Sequence, residues 1–554
     1  MLKRFPHKKF RYAGITVAIL FVGFIIVGEG LSYHYKNLIR SRLDVLSAKA
    51  TDSLYHISIE GIRINIFNQD VTVFGLKMVV DSTILEKLIA AHAAPRAILN
   101  VEVPQAYVSG VKWSGLSKET KLDCKKVAFY HPKIIVTILQ NGSRKKPKAF
   151  EQEAMLQRVS AKQILIEDPQ LTLRGQDSNT QYIVQTKGGK ITAEDWATYP
   201  HKPYDSTRFF GAASANIELL NAQYSFTNNL YRYTFDKLSF NTKTNNASIG
   251  GLDIRPLMSQ EDFYEIVGYR RDMYTCHTPQ VSFYGLDWKS LILRQTFFVG
   301  QITFSEPDFS VFYSKRPPLN PALGALPPYP AQRLQEVPFA LNIPVLNISN
   351  GTVRYGESNL KTGAHGTLEF NYLNGSFYNL TNRKELIDNI PICRAVLHGK
   401  FMHQAALGAV FDFVLNSPKG AFSVNGIVKD LQASQIREQV SALATVELKS
   451  LKVSQAIIRI AGNTDSTHGR FSIPYNNLKL ILKKWDANDS DVHSMLLLSF
   501  LANKLLIYPD NPMPDDTLRL ARTSIIRGQT RSFFQIIWKN IFQACIQSAV
   551  RNDG

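Results

Sequence analysis

The sequence predicts a mainly β protein: one N-terminal transmembrane helix, then a curved antiparallel sheet with an internal duplication and a few short helices. Three observations carry this. Many short runs alternate apolar and polar residues, an apolar stretch near residues 10–30 follows a basic flank, and one β-rich phrase occurs twice at a near-constant offset.

Alternation is the main signal for strands. Tyr55, Ile57 and Ile59 point one way and His56, Ser58 and Glu60 the other; Ile62, Ile64 and Ile66 alternate with Arg63 and Asn65. Phe309, Val311 and Tyr313 follow the same rule, as do Phe411 and Phe413, Phe422 and Val424, Val446 and Leu448, and Phe471 and Ile473. Such runs predict antiparallel strands with one apolar and one wet face. The 32 Phe and 23 Tyr fit strands. Short helices are expected near 82–93, 256–266 and 429–440, and longer ones near 492–507 and 531–550. Residues 315–335 hold six prolines and read as an irregular connector.

The N-terminal segment reads as a membrane anchor. Residues 1–12 carry Lys3, Arg4, Lys8, Lys9 and Arg11 and no acid, and Ala13–Val27 is uncharged. Ile15, Val17, Leu20, Phe21, Phe24 and Ile25 are its membrane-anchoring side chains. The 19-residue window Phe10–Gly28 rises about 28 Å as a helix, close to a hydrocarbon core of about 30 Å. The basic flank places the N-terminus in the cytoplasm and the bulk of the chain across the membrane. A cleaved signal peptide is the rival reading. Gly28-Glu29-Gly30 makes a poor cleavage site, and Leu31–Lys49 continues as an amphipathic helix, which favours a retained anchor. Met495–Tyr508 is the nearest thing to a second span, and Asn503 and Lys504 interrupt it.

The duplication is the most informative feature. YHISIEGIRINIFNQDVTVFGLKM (55–78) matches YRYTFDKLSFNTKTNNASIGGLDI (231–254) at an offset of 176, pairing Gly75 with Gly251 and Leu76 with Leu252. VPQAYVSGVKW (103–113) matches TPQVSFYGLDW (278–288) at 175, pairing Pro104 with Pro279, Gly110 with Gly285 and Trp113 with Trp288. VAFYHPKIIVTI (127–138) then matches ITFSEPDFSVFY (302–313). The paired glycines are expected at turns or bulges. The prolines, and Asn350-Gly351 in VLNISNGTVRYG, are expected to break strands or close hairpins. The resulting organisation is an anchor region (1–50), a first repeat unit (51–230), a second (231–390), a C-terminal sheet (391–490) and a C-terminal helical segment (491–554).

At 554 residues, 45 % apolar and 20 % charged, the chain reads as folded, with more than one structural unit. Its net charge of +19 points either to an anionic partner or to a solvated basic surface. Nucleic acid is disfavoured by the anchor and by the lack of any recognition motif. Cys124, Cys276, Cys393 and Cys545 are too scattered for a disulfide framework or a zinc site. There is no Gly-x-Ser-x-Gly, His-Glu-x-x-His or Walker A pattern, so no enzymatic activity, metal or cofactor is expected. The basic run Arg144–Lys148 meets anionic headgroups or is simply a solvated loop. The aromatic face of 531–550, with Phe533, Phe534, Ile537, Trp538, Ile541 and Phe542, either lies on a membrane or caps the sheet.

More than a dozen strands expose a long apolar face, and few helices are predicted to cover it. Either sheets close on one another as sandwiches, giving a non-catalytic scaffold, or a curved sheet leaves that face open to acyl chains. On the open reading, the lipid-facing candidates are Ile57, Ile59, Ile62, Ile64, Val127, Phe129, Phe235, Leu238, Phe240, Phe304, Phe309 and Val311.

The VTVFGLKM opening echoed in SIGGLDI, the strand–proline–strand phrase IEDPQLTL, FSVNGIVKDLQASQI (422–436), RFSIPYNNLKLIL (470–482), SFLANKLLI (499–507) and RGQTRSFFQIIWKNIF (527–542) resemble the AsmA-like proteins of Gram-negative envelopes. The resemblance covers nearly the whole chain. It implies a single-pass inner-membrane anchor and an elongated periplasmic β-groove, similar in architecture to chorein-type bridge-like lipid transfer proteins. It also implies phospholipids, and other envelope proteins, as partners in lipid transport and outer-membrane biogenesis.

Overall fold

The computed structural model describes residues 54–65, 67–95, 97–114, 120–139, 156–177, 180–198, 205–226, 230–318, 328–358, 363–443, 446–482, 507–527 and 533–550. The anchor residues Ile15, Val17, Leu20, Phe21, Phe24 and Ile25, the helix expected at 31–49, the basic run 144–148 and most of 492–507 lie outside the described residues. Among the described residues, no helix is long and apolar enough to cross a membrane. Two compact units are present: the chain up to Leu252 with Tyr284–Phe297, and Asp253–Phe283 with Phe298 onward.

The chain is mainly β, its described strands forming one large mixed sheet. The first unit contains β1 (Tyr55–Ser58), β2 (Gly61–Asn65), β3 (Asp70–Val80), α1 (Ser82–Ala90), β4 (Ala97–Ser109), β5 (Lys112–Ser114), β6 (Thr120–Tyr130) and β7 (Lys133–Ile138). There follow β8 (Leu156–Glu167), β9 (Gln170–Asp177), β10 (Thr180–Lys187), β11 (Gly189–Thr198), β12 (Ser214–Phe226) and β13 (Tyr231–Asn241). Next come β14 (Asn246–Pro256), α2 (Gln260–Val267), β15 (Asp272–Leu286), α3 (Trp288–Arg294), β16 (Phe297–Ser305) and β17 (Asp308–Tyr313). The rest is α4 (Pro330–Gln335), β18 (Leu341–Ser358), β19 (His365–Thr381), α5 (Lys384–Asn389), β20 (Ile392–Phe401), β21 (Ala405–Val414), β22 (Phe422–Gln432), α6 (Ala433–Leu443), β23 (Val446–Gly462), β24 (Ser466–Ser472), β25 (Tyr475–Leu482), β26 (Leu520–Ile526) and α7 (Phe533–Ala549).

Helices fall near the expected places at 82–90, 260–267, 433–443 and 533–549. Capping explains two of the starts. The Asp81 carboxylate accepts from the Ile84 amide at 3.0 Å, and the Ser259 hydroxyl from Asp262 at 3.2 Å. The short helices α3, α4 and α5 are too brief to leave a periodic signal.

Two expectations are corrected. The sheet is not purely antiparallel: β6 runs parallel to β8, β7 to β9 and β17 to β18. The strand–proline–strand phrases are also not hairpins. β6 and β7 both pair with β4 in one register, Gln105 opposite Tyr130 and Glu102 opposite Lys133, so the chain keeps its direction through His131-Pro132. The residue before each proline takes a left-handed backbone: His131 (φ 51°), Asp168 (φ 49°) and Glu306 (φ 50°), with Asn350 (φ 53°) in the equivalent place on β18. One such residue rotates the strand and inverts which side chains face the core, as a bulge does.

These inversions line up across neighbouring strands. The His131 amide donates to Glu167 O at 2.8 Å, Asp168 to Gly189 O at 2.8 Å, Gly188 to Pro169 O at 3.0 Å and Leu220 to Gly188 O at 3.1 Å. The sheet is therefore creased rather than broken. On β3 the crease falls at Gly75 (φ 60°), where a Cβ would run into the Glu60 side chain. Val71 and Val73 before it, and Leu76 and Met78 after it, pack into the same core. Gly251 has the same φ of 60°, and a Cβ there would strike Asp236. Glycine alone meets both demands, a left-handed backbone and no side-chain volume.

The core of the first unit gathers Ile57, Ile59, Val73, Val103, Ala106, Val108, Leu122 and Val159 from β1 to β8. In the second unit α7 lies on the sheet through Phe533, Ile536 and Ala544, against Phe422, Val424, Ile460, Phe471 and Ile525. Asn540 on α7 is fully buried; its amide donates to Thr467 Oγ1 at 2.8 Å, and Thr523 Oγ1 donates to its carbonyl at 2.6 Å. Of the two readings left open for this helix, capping the sheet is the one the packing supports.

Candidate functional site

Strand register shows which side chains share a face. In the first unit one row reads Ile62, Val73, Ala106, Phe129, Ile166, Ile191, Ile217 and Phe240, each directly beside the next across eight strands. The row beside it reads Ile64, Val71, Val108, Val127, Ile164, Ala193 and Ala215. Across the crease a third row reads Leu99, Val136, Leu173, Val184, Tyr224 and Tyr233. Leu238 and Phe235 continue the same face of β13, opposite Leu219 and Ala222.

The opposite face is mixed: Ala128 and Leu165 sit side by side and buried on it, and the row next to them is polar. Tyr130, Glu167, Lys190, Glu218 and Ser239 form its corresponding row, and Lys237 Nζ meets Glu218 Oε2 at 3.0 Å. The strands are thus two-sided in the sense their alternation predicts.

Burial divides the apolar face. At the β1–β4 side it is packed: Ile57 and Ile59 are buried, Val73 is 1 % exposed, and Ala106 and Val108 are fully covered. From β6 to β13 the same row is half-buried at every position, Phe129, Ile166, Ile191, Ile217 and Phe240 alike. Ile62 is half-buried and Ile64 is 37 % exposed. Among the described residues of this unit the helices are α1, with no buried residue, and α3, which buries Trp288. These five strands span about 19 Å at about 4.8 Å per strand, and the seven residue-to-residue steps from Ile217 to Tyr224 add about 23 Å along them.

The two ends of this face differ. Beyond Phe240 it is covered, because the Phe209 ring stands 5.8 Å from Phe240 and 5.3 Å from Trp288. Trp196 Nε1 donates to Phe210 O at 3.0 Å and fixes that loop. At the other end Tyr182 lies beside Phe226 and Val184 beside Tyr224. The rings of Tyr224, Phe226, Tyr231 and Tyr233 pack together with centroids 5.7–6.4 Å apart. Burial raises the Tyr224 hydroxyl above the usual tyrosine range.

In the second unit Phe309 and Val311 sit beside Val353 and Tyr355, and Val353 and Tyr355 beside Phe370 and Leu368. Phe304, Phe309 and Val311 are half-buried. At the constant offset they correspond to Phe129, Ile134 and Val136 of the first copy. Here the surroundings are more polar. The Tyr355 hydroxyl donates to Glu357 at 3.1 Å, Lys315 pairs with Glu357, and Gln535 from α7 hydrogen-bonds Tyr313 and Tyr355. Asp272, beside Tyr313, accepts from Tyr274 at 3.2 Å, and burial holds its carboxyl above the usual range.

No family model matches this chain. No curated protein matches it either.

Nothing in these rows is arranged for bond-making chemistry. The buried thiols are inert by environment: burial pushes Cys124 up to about 12 and Cys393 up to about 11. Among the described residues, no group of three His, Cys, Asp or Glu side chains is placed to hold a metal ion. Of the candidate residues found by alternation, Ile62, Ile64, Val127, Phe129, Phe235, Leu238 and Phe240 fall on one face of the first unit, and Ile57 and Ile59 lie in its packed part; Phe309 and Val311 share a face within the second unit. Sequence reasoning did not single out Ile166, Ile191, Ile217, Leu173 and Val184. They alternate in sequence as the others do, but the inversions at Asp168 and Gly188-Gly189 hide that the runs before and after share a face.

Proposed function

We propose that this chain is a membrane-anchored, non-enzymatic protein that binds the acyl chains of phospholipids along the open apolar face of its sheet. On this reading it sits in an inner membrane by the apolar segment 13–27, with the bulk of the chain in the periplasm, and serves lipid transport or outer-membrane biogenesis, as the resemblance to AsmA-like proteins implies. One observation carries it: the row Phe129–Ile166–Ile191–Ile217–Phe240 is wholly apolar and only half-buried. Apolar side chains left partly accessible along a whole row mark a site for an apolar partner. An acyl chain covers about half of a hydrocarbon core of about 30 Å, and the face accommodates that length along its strands. The test is native mass spectrometry with lipid extraction of the full chain purified in mild detergent. Phospholipid retained by folded monomer is expected; delipidated monomer that takes up none would overturn the proposal.

A second reading, an envelope scaffold with closed sheets, draws on α7. That helix covers the face of β22–β26 with Phe533, Ile536 and Ala544. It accounts for the C-terminal part and leaves the half-buried rows of the first unit without a role.

A further inference from the structure

We infer that the C-terminal sheet, on the face turned away from α7, carries a binding site for a ligand bearing two or more phosphate groups, built from Arg459, Arg470 and Arg522. The site lies wholly within the second unit and does not rest on the apolar rows of the first.

Register puts the three side by side. Arg459 on β23 is directly opposite Arg470 on β24, and Arg470 is directly opposite Arg522 on β26. All three are exposed. At about 4.8 Å between strands the row is about 10 Å long. Successive residues of a strand face opposite ways, and the next residues, Ile460, Phe471 and Ala521, are buried in the core that holds α7. The arginines therefore stand on strands fixed from behind.

Their surroundings lack a counter-charge. Asn425 continues the row on β22, and the flanking positions on β24 and β26 are His468, Ser472, Leu520 and Ser524, none of them acidic. Asp412 on β21 and Asp465 in the β23–β24 turn are taken by Arg394 and Lys419, each at 2.6 Å. Among the described residues no carboxylate pairs with Arg459, Arg470 or Arg522, whereas Arg255, Arg354 and Arg394 on other strands each have one.

Like charges directly opposite one another on a sheet are destabilising. A charged side chain guards an edge strand against unwanted pairing. That accounts for Arg522 on β26, but not for Arg459 and Arg470, whose strands are paired on both sides. A phosphate ligand supplies what the row lacks. Each guanidinium offers two parallel N–H donors that match a pair of phosphate oxygens. A phosphate monoester carries about −1.5 to −2 at neutral pH, so two of them balance the three cations. His468 and Ser524, opposite one another beside the row and exposed, offer further donors.

The experiment compares the full chain in mild detergent with the triple variant Arg459→Gln/Arg470→Gln/Arg522→Gln. A charge-matched control replaces Lys190, Lys243 and Arg333, all exposed and away from this face, with Gln. One arm titrates sodium tripolyphosphate by calorimetry. The other measures co-sedimentation with phosphatidylcholine vesicles made with and without phosphatidylglycerol. Wild type and control should bind alike, and the triple variant at least tenfold more weakly. Binding in the first arm assigns a soluble phosphorylated ligand, and binding in the second alone assigns a phospholipid headgroup; either supports the site. No binding by wild type in either arm, or equal loss in the control, overturns it. Thermal unfolding gives a second reading. Relief of repulsion should leave the triple variant at least as stable as wild type, and a lower melting temperature would show that the arginines hold the fold by contacts of their own, against the proposal.

Discussion

His131 and Asp168 stand on adjacent parallel strands, each with a left-handed backbone, each followed by proline, and with Nδ1 and Oδ2 3.7 Å apart. Both side chains are well exposed, so their attraction contributes little to stability. What matters is the backbone they share. The His131 amide donates to Glu167 O and the Gln170 amide to Pro132 O, both at 2.8 Å, so neighbouring strands invert their faces together.

That alignment makes the crease glycines sensitive. Gly75→Ala forces a side chain into a left-handed backbone and against Glu60. A loss of about 1–3 kcal/mol is expected from such backbone strain. Gly251→Ala, with the same φ and Asp236 in place of Glu60, should lose a similar amount. Urea unfolding followed by tyrosine fluorescence measures both; wild-type midpoints would show that the inversion tolerates a Cβ.

The apolar row predicts separable effects of its two faces. Ile191→Asp and Ile217→Asp place a charge among half-buried apolar side chains and should abolish most copurifying lipid, because charge in an apolar site is strongly disfavoured. Lys190→Asp, one residue away on the opposite face, should leave lipid content unchanged. Phosphate assay of the purified variants decides. Equal lipid in all three would remove the row from the binding surface.

Asn540 is the polar pin under α7. Asn540→Ala strands the buried hydroxyls of Thr467 and Thr523, each fully or nearly fully covered. About 1–3 kcal/mol is expected for each buried polar group left unsatisfied. Thermal unfolding and limited proteolysis near residue 530 should show α7 released early. An unchanged digestion pattern would mean that Phe533, Ile536 and Ala544 hold the helix unaided.

Asp272 predicts a pH dependence of definite sign. Burial raises its folded-state pKa above the unfolded value, so the folded chain binds the extra proton between the two. Its contribution to stability is then fully present below the unfolded pKa and lost as pH rises through the folded one. Asp272→Asn should stabilise the chain at neutral pH and lose that advantage in acid. A variant equally stable, or less stable, at neutral pH would mean that the Tyr274 hydrogen bond outweighs the cost of burying the charge.

Cys124 and Cys393, both buried and with thiols pushed up to about 12 and about 11, should resist alkylation at pH 8 and react on adding denaturant. Mass spectrometry after iodoacetamide treatment reads this. Rapid labelling of either in the native chain would mean that its strand opens.

The sequence by itself determined what is local. Alternation at period two marked Tyr55–Ile59, Phe309–Tyr313 and Phe422–Val424 as strands, because a strand puts successive side chains on opposite sides. The repeated Gly75/Gly251 and the prolines at 132 and 307 marked where the strands deform. Tertiary structure decided the rest. Left-handed residues at 131, 168 and 306 invert the facing of everything after them, and only pairing with neighbours shows that the runs on either side share one surface. Parallel pairing of β6 with β8, and the closing of the C-terminal sheet by α7 while the first unit's rows stay half-buried, depend on contacts between residues far apart in the chain. Period-two patterning carries no record of such contacts.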